Sequence, residues 1–426
     1  MIDINKAKRF FEDWEQICDK DNGELWGFPL HTPFMFIDDQ RNIVANQPDA
    51  EGNLKPENGV YVGEFPENQA FAATATDFGG TRWGTMPWGM LEKAITGNIP
   101  SKVLGAVAVK VLSKMIVAKT IRCLIHEAIH CIQPPEMFEG ESGVGHLNNP
   151  RARLLLLLEA SALHHSLVVS GDGERLAAVT AALSARQKRE LDFGGTAQEA
   201  EREICEGSAV FTEIMLGVAK EKHVSVLKNE FLASLKRSSS FTNLAGYCLG
   251  ALYCFALDKY DIKARQTMGW DVNMAELLQK VAGVAEIPDF KDIDYKVYGL
   301  NEILKSEKKL SDKHNRMIQE IRDKFIEGSV LVLHGDGRAS INGQMIHVEG
   351  LGLVMRGNVE YHGEVGKLVA VGGDVLKAAP DLWKVSAENI KVDGKKITGN
   401  NWEMELKDGY ICVEGGKNWI LIKPED

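Results

Sequence analysis

The sequence predicts an α+β protein in which strand-rich segments flank a helical middle. Three observations indicate this class. Short apolar runs separated by turn residues occur between residues 34 and 88. Apolar residues recur at spacings of three and four, with few prolines, over residues 151–327. Short apolar runs and Asp-Gly turns occur again after residue 328. We therefore expect an α+β lobe at 1–150, a helical lobe at 151–327 and a small β domain at 328–426.

Amino-acid composition limits the classes of protein that the chain can belong to. Hydrophobic residues make up 44% of the chain and charged residues 26%, as is ordinary for a globular protein. The net charge is −11 and no basic domain stands out, so a nucleic-acid-binding surface is not expected. The first residues carry no apolar signal core, and the seven cysteines are scattered singly without a Cys-x-x-Cys pair. These features predict a cytoplasmic protein with reduced thiols.

The N-terminal part is predicted to contain one helix and a sheet. Residues 6–19 have the apolar spacing of a short amphipathic helix. Trp83 and Trp88 are more consistent with a core than with substrate contacts, since large aromatic residues usually bury most of their surface. Strand-like runs lie at residues 35–37, 42–44 and 60–62, and turn residues lie at 49–53 and 57–59.

The most hydrophobic stretch of the chain covers residues 103–129. Four basic residues interrupt it, so a buried helix is predicted rather than a membrane span. The loop that follows, residues 133–150, contains two adjacent prolines and three glycines and is predicted to move or form a lid. The interrupting residues are Lys110, Lys114, Lys119 and Arg122.

The remaining chain divides into helices and then strands. The last predicted helix, residues 301–325, carries an apolar stripe that is expected to pack rather than to bind a partner. The β domain after residue 328 shows no residues with ligand spacing, and we interpret it as a structural cap. The stripe consists of Leu310, Met317, Ile321 and Phe325, and the strands are predicted at 330–333, 353–355 and 367–371.

The stretch most informative about function is His126-Glu127-Ala128-Ile129-His130, a His-Glu-x-x-His motif with apolar flanks. Residues four apart lie on one face of a helix, so His126 and His130 can bind one metal ion. Glu127 lies about 100° around the helix and can reach a metal-bound water instead. Two imidazole ligands with a carboxylate base beside them predict a zinc hydrolase.

A catalytic zinc site needs a third protein ligand. The extended metzincin motif is excluded, because Gln133 and Glu136 stand where it has glycine and histidine. Glu206 is the preferred ligand, since the small Gly207 after it lets this helix approach the metal helix at a helix-interior cost of about 1 kcal/mol. Glu159 is the alternative. It follows a leucine run, so it is expected to be buried and to need a partner.

The sequence supports less specific predictions for the other residues near these positions. Glu203 and Glu213 could orient the ligating histidines, or they could form a solvated acidic face. His146, in the loop after the motif, is a less favoured ligand. Cys131 and Cys205 adjoin His130 and Glu206 in sequence and are expected to be small core residues.

Two segments resemble gluzincins. Residues 206–213, Glu-Gly-Ser-Ala-Val-Phe-Thr-Glu, resemble the gluzincin segment whose first glutamate is the third zinc ligand. Residues 247–251, Tyr-Cys-Leu-Gly-Ala, resemble the aminopeptidase segment whose tyrosine supports the oxyanion. Two departures are that the Gly-x-Met-Glu-Asn segment of those aminopeptidases is absent and that the interval from His130 to Glu206 is longer than theirs. Most of the chain also resembles bacterial peptidase MA-like proteins. Segments that carry this resemblance include Leu25-Trp26-Gly27, Ala45-Asn46-Gln47 and Arg82-Trp83-Gly84.

The resemblance implies a thermolysin-like catalytic region, an N-terminal sheet with the metal helix and a mainly helical second lobe, followed by a small all-β domain. It also implies that Tyr247 donates a hydrogen bond to the oxyanion and that an edge strand pairs with extended substrate. Residues 71–76 are the candidate edge strand, because small side chains leave room for a partner strand. An ordinary interior strand is the alternative.

These features predict a zinc-dependent metallopeptidase acting on a peptide or protein substrate. His126, His130 and Glu206 would hold Zn²⁺, and Glu127 would be the general base toward the metal-bound water. One alternative is a catalytically inactive zinc-binding or scaffolding protein, which a fourth protein ligand such as His146 would indicate. Another is a zinc amidohydrolase that acts on a non-peptide amide.

Overall fold

A computed structural model describes residues 1–67, 69, 71–91, 106–138, 144–238, 241 and 244–424. The fold is α+β and contains two separate sheets. Two compact units divide the chain, Met1–Glu307 and Lys308–Asp426. The division predicted at residue 150 lies inside the first unit and stays a prediction.

The first unit contains a six-stranded sheet with the order β3-β4-β2-β1-β6-β5. Strands β1 and β6 pair in parallel and the other neighbours pair antiparallel. Helix α1, Ile4–Asp21, covers one face with Phe10 and Phe11, and Trp83 lies in the core of the other face. Trp83 and Trp88 are both buried, as predicted. The strands are β1 Phe34–Ile37, β2 Asn42–Ala45, β3 Lys55–Glu57, β4 Val60–Glu64, β5 Thr74–Phe78 and β6 Thr81–Pro87.

The predicted edge strand lies at the edge of this sheet, but it begins three residues later than expected. Strand β5 starts at Thr74, and residues 71–73 precede it. The Thr85 hydroxyl lies 2.8 Å from the carbonyl oxygens of both Ala72 and Thr74. A side-chain hydrogen bond rather than strand pairing therefore holds the residues before the strand.

Helix α2, Ala106–Ile132, carries the His-Glu-x-x-His motif and packs beside β5 and β6. Leu124 lies in the apolar cluster of the sheet, whereas Ile125 and Ile129 lie in the core of the helical part. Gly84 on β6 leaves room for the ring of Phe34, and a Cβ there would be 3.5 Å from the Cys131 sulfur on α2. The metal helix is therefore buried between the sheet and the helices, which fixes the direction of its side chains.

A large apolar core joins the helices that follow α2. Helix α3, Pro150–Val168, begins where the Asn149 side chain accepts a hydrogen bond from the Arg151 amide, with proline at the first position. Residues 203–207 and 227–232 form π-helical turns within this region. The other helices are α4 Asp172–Phe193, α5 Thr196–Arg202, α6 Ser208–Gly217, α7 His223–Val226, α8 Ala233–Arg237, α9 Leu244–Tyr260, α10 Ile262–Gln266, α11 Met274–Ala282 and α12 Leu300–Arg322.

The second unit contains a ten-stranded sheet in which β10 pairs with β9, β11 and β14. Its main core includes Tyr361, Trp383 and Trp402. The end of α12 and the turn after it bury Ile321 and Phe325 in a second cluster, as the predicted stripe requires. The strands are β7 Val330–His334, β8 Gly337–Val348, β9 Gly352–Gly363, β10 Gly366–Ala379, β11 Leu382–Ser386, β12 Lys391–Asp393, β13 Lys396–Gly399, β14 Trp402–Leu406, β15 Ile411–Gly415 and β16 Asn418–Ile422.

Two further predictions concerned a membrane span in the metal helix and a lid in the loop that follows it. Within the described part of the chain, no helix combines the length and apolar character that crossing a bilayer requires. The predicted lid contains short 3-10 turns at Pro135–Phe138 and Gly145–Asn148. Gly140 and Gly143, on which the lid prediction depended, lie outside the described residues.

Candidate metal centre

Three side chains from two distant segments converge beside the sheet. His126 and His130 project from one face of α2, and Glu206 projects from the π-helical turn Glu203–Gly207. One potential ligand atom from each residue lies within 4.8 Å of those from the other two. The Glu206 Oε2 atom lies 3.3 Å from His126 Nε2 and 3.5 Å from His130 Nε2. The described residues contain no other such group of His, Cys, Asp or Glu.

The chemistry of these three groups fits a zinc ion. Glu206 Oε2 is buried, and its ion-pairing neighbours among the described residues are the two imidazole nitrogens. A buried carboxylate oxygen is costly unless a protonated group or a cation compensates its charge. Two imidazole nitrogens and one carboxylate oxygen are a usual ligand set for catalytic zinc, which keeps a fourth position for water or substrate.

The electrostatics of the site also favour a bound cation. Burial alone would lower the pKa of His126, but the Glu206 and Glu213 carboxylates raise it to about 10. Burial would raise the pKa of Glu206, but the two imidazoles beside it hold that pKa far below its ordinary value. In the metal-free protein, a proton on His126 therefore supplies positive charge that a divalent cation would supply on binding.

The π-helical turn determines where Glu206 points. Glu203, three residues earlier, was predicted either to orient the histidines or to belong to a solvated acidic face, and the structure shows neither arrangement. Glu203 is buried and pairs with Arg186 at 2.7 and 2.9 Å. The wider π turn changes the angle between residues three apart, so that Glu203 and Glu206 reach different partners.

Gly207 permits a close helix crossing, but with a different helix than expected. A Cβ at Gly207 would overlap the Cα of Gly250 on α9, and a Cβ at Gly250 would overlap the Glu203 carbonyl oxygen. The atoms nearest to a Cβ at Gly207 all belong to α9, whereas the predicted close approach was to the metal helix. The paired glycines let α9 lie directly against the π turn, which brings Tyr247, one turn before Gly250, to the site.

Tyr247 lies beside the predicted metal ligands. Its ring is parallel to that of His126, with 5.6 Å between ring centroids and 6° between ring planes. Burial and the negative charge of Glu206 raise the pKa of its hydroxyl well above the ordinary value. The hydroxyl therefore stays protonated at neutral pH and can donate a hydrogen bond within the site.

Glu127, the predicted base, follows His126 on α2 and is buried. Burial raises its pKa, while the charges of His126 and His130 act in the opposite direction. A carboxylate with a raised pKa exchanges protons closer to neutral pH than an exposed glutamate does. Its position and its pKa are both compatible with proton transfer.

Each ligating histidine has a second partner at its other ring nitrogen. Glu213 Oε2 lies 3.3 Å from His126 Nδ1, and Arg122 holds the other oxygen of this carboxylate at 2.7 Å. Gln133 Oε1 lies 2.7 Å from His130 Nδ1. Arg122 and Gln133 were not predicted as site residues from the sequence. Their spacing, four before His126 and three after His130, is a signal that could have identified them.

Glu159, the alternative third ligand, belongs to a different cluster. One of its oxygens lies 2.5 Å from Arg189 and the other 2.5 Å from the Tyr253 hydroxyl and 3.4 Å from Arg186. The expectation that this buried carboxylate has partners is confirmed. Its oxygens are occupied by donors, so the structure gives it no place among the metal ligands.

His146 also lies in this second group rather than at the metal ligands. Its Nε2 atom is 2.6 Å from Glu199, which Arg189 contacts through two nitrogens. We call Glu159, Glu199 and Glu203, with Arg186 and Arg189, the arginine cluster. His146 contacts this cluster from a 3-10 turn.

The two cysteines next to the ligands do not supply metal-binding thiolates. Cys205 is buried, as expected, whereas Cys131 is only half-buried. Burial raises the pKa of each thiol to about 12. Neither thiol belongs to the group of potential ligand atoms that His126, His130 and Glu206 form.

Comparisons with family models, with curated proteins and with solved structures return no match for this chain. Its chemistry must therefore be inferred from the geometry of the site.

Proposed function

We propose that this protein is a zinc-dependent metallopeptidase with a thermolysin-like catalytic region. The observation that carries the proposal is the convergence of His126 Nε2, His130 Nε2 and Glu206 Oε2, in which the carboxylate oxygen is buried and faces both imidazole nitrogens. These three residues would hold the zinc ion. The parallel tyrosine and the adjacent buried glutamate add the polar groups that amide hydrolysis requires.

Bound zinc would polarise the scissile carbonyl and lower the pKa of a water molecule to about 7. Glu127 accepts the proton of the attacking water and later passes it to the leaving amine. Its raised pKa suits both steps. The Tyr247 hydroxyl remains protonated and donates a hydrogen bond to the carbonyl oxygen as negative charge develops there.

A peptide is the substrate that the surroundings favour. Strand β5 ends the six-stranded sheet and packs beside the metal helix. Along its outer edge no partner strand occurs among the described residues. An extended peptide could add to this edge through backbone hydrogen bonds and place one amide at the metal.

The inactive, metal-binding alternative would be favoured by a fourth protein ligand. Three candidate ligands converge in the described part of the chain, and His146 is paired with Glu199 instead. Three protein ligands are typical of catalytic zinc and four of structural zinc. The non-peptide amidohydrolase alternative uses the same groups, so only the substrate that is hydrolysed distinguishes it from a peptidase.

The decisive variant is Glu127→Gln. Protein purified without added metal should contain about one zinc per chain and should cleave fluorescently labelled casein. Glu127→Gln should keep its zinc and lose about 10²- to 10⁴-fold in rate, because the amide cannot accept the proton. Metal analysis and the casein assay measure the two effects separately.

Glu136→Gln is the matched control, because Glu136 is an exposed glutamate in the turn after the same helix. It should leave both zinc content and rate unchanged. An unchanged rate in Glu127→Gln would remove the assigned base, and absence of zinc from the wild type would remove the metal site. Zinc content with turnover only of small non-peptide amides would replace the peptidase assignment.

A further inference from the structure

Gln133 lies one residue beyond the end of the metal helix and is 1% exposed. Its side-chain amide contacts both segments that carry the predicted metal ligands. The amide group is neutral, unlike the carboxylate of Glu213, which contacts His126. A buried neutral amide with every polar atom used is a specific arrangement that calls for a reason.

The oxygen of the amide faces the first segment. Gln133 Oε1 lies 2.7 Å from His130 Nδ1. Because the amide oxygen can only accept, this contact puts a proton on Nδ1. The Nε2 atom of His130, which faces Glu206, is then left with a lone pair for a metal ion.

The nitrogen of the same amide faces the second segment. Gln133 Nε2 donates to the Cys205 carbonyl oxygen at 2.7 Å and to the Ser208 hydroxyl oxygen at 3.0 Å. Cys205 and Ser208 flank Glu206 in the chain. One amide group therefore connects the orientation of His130 with the position of the turn that carries Glu206.

We propose that Gln133 is a positioning residue that fixes His130 and Glu206 relative to each other and thereby sets the affinity for zinc. An amide accepts from an imidazole N–H through its oxygen and donates to a backbone carbonyl through its nitrogen, so one group can contact both segments. A carboxylate at this position would accept from His130 but would place an oxygen against the Cys205 carbonyl. An aliphatic side chain would make neither contact.

This inference rests on the metal site proposed above, and three variants test it. Gln133→Leu removes both contacts, Gln133→Glu keeps only the contact to His130, and Ser208→Ala removes one acceptor and serves as the control. Zinc affinity is measured by competition with a chromophoric chelator. We expect both Gln133 variants to bind zinc about 10- to 100-fold more weakly, as is typical when groups supporting a ligand are lost. Ser208→Ala should weaken binding by a smaller factor than either.

Cobalt substitution separates positioning from a general effect on stability. The visible absorption of bound Co²⁺ reports the geometry of its ligands, so it should change in Gln133→Glu. A variant that is merely less stable would show less bound cobalt with an unchanged spectrum, and this result would overturn the proposal. Thermal melting of each metal-free variant identifies any that fail to fold.

The affinities also decide between the possible roles. Zinc binding by Gln133→Glu as tight as the wild type would mean that the contact to Cys205 is irrelevant, which overturns the proposal. Unchanged binding by Gln133→Leu would do the same. If the wild type itself binds no zinc, the proposed function fails as well, so the two failures are distinguishable.

Discussion

The arginine cluster and the candidate metal centre both contain carboxylates with little exposure to solvent, but different groups balance their charge. In the arginine cluster, Glu159, Glu199 and Glu203 each contact at least one guanidinium group. At the metal centre, among the described residues, Glu206 forms ion-pair contacts only with two histidines. Fixed guanidinium groups therefore compensate the carboxylates of the arginine cluster, whereas Glu206 depends on a proton or a metal ion for positive charge.

This difference separates a structural role from a functional one. A buried carboxylate paired with fixed guanidinium groups is compensated permanently and contributes to the packing of its helices. A buried carboxylate whose compensation can be exchanged is suited to bind a cation. We expect mutations in the first cluster to change the free energy of unfolding and mutations in the second to change metal binding.

The largest expected effect is on metal binding. Glu206→Ala should weaken zinc binding by more than about 100-fold, because it removes a direct ligand and loss of supporting groups alone costs about 10- to 100-fold. Zinc content and chelator competition measure this effect. Glu159→Ala is the matched control and, where it folds, should retain its zinc. Zinc loss in Glu159→Ala with retention in Glu206→Ala would reverse the comparison.

The second effect is on stability. Glu159→Gln should lower the free energy of unfolding of the metal-free protein by about 3 kcal/mol, because it leaves buried guanidinium charge less compensated. Glu206→Gln should lower it by less, since this carboxylate has no fixed partner. Denaturant titration of both variants in the presence of a chelator gives the two values. Equal losses would contradict the distinction between the clusters.

The smallest effect is the dependence of the metal centre on pH. The glutamates around His126 raise its pKa from 6.5 to about 10 in the metal-free protein. A raised pKa means that the stabilisation from this proton is complete below pH 6.5 and is lost as the pH rises to about 10. Zinc must displace the proton, so its affinity should increase by about tenfold per pH unit through neutral pH.

Calorimetry in buffers of different ionisation enthalpy measures this proton directly. Zinc binding at neutral pH should release about one proton from His126. Glu199 of the arginine cluster should respond only in acid, because Arg189 and His146 overcome the effect of burial and lower its pKa from 4.5 to about 2. Its contribution is complete above pH 4.5 and is lost toward pH 2. Zinc binding without proton release would show that His126 is neutral.

Much of the fold follows from local patterns. The strands at Phe34–Ile37, Asn42–Ala45 and Val60–Glu64 and the helix Ile4–Asp21 lie where the apolar spacing predicts them. The prediction was less accurate at Thr74, because a side-chain hydrogen bond from Thr85 decides where that strand begins. Such contacts between distant residues leave no periodic signal in the sequence.

The errors around Glu206 have a common cause. The expectations for Glu203 and Gly207 assumed regular α-helical geometry, whereas residues 203–207 form a π turn. The turn is accompanied by the close approach of Gly207 and Gly250, which belong to helices far apart in the chain. A pattern of 3.6 residues per turn cannot reveal a local change of pitch that tertiary packing accompanies.

The relative directions of His126, Glu127 and His130 follow from the sequence alone, because the two histidines are about one helical turn apart. The sequence favoured Glu206 as the third ligand but left Glu159 as an alternative, since both are glutamates in apolar helices. In the folded protein, Arg186, Arg189 and Tyr253 surround Glu159. In the described part of the chain, by contrast, the ion-pair partners of Glu206 are two imidazoles, one of which lies parallel to the Tyr247 ring. The physical reason is that the role of a buried carboxylate depends on which charges lie across the core from it, and those residues are distant in sequence.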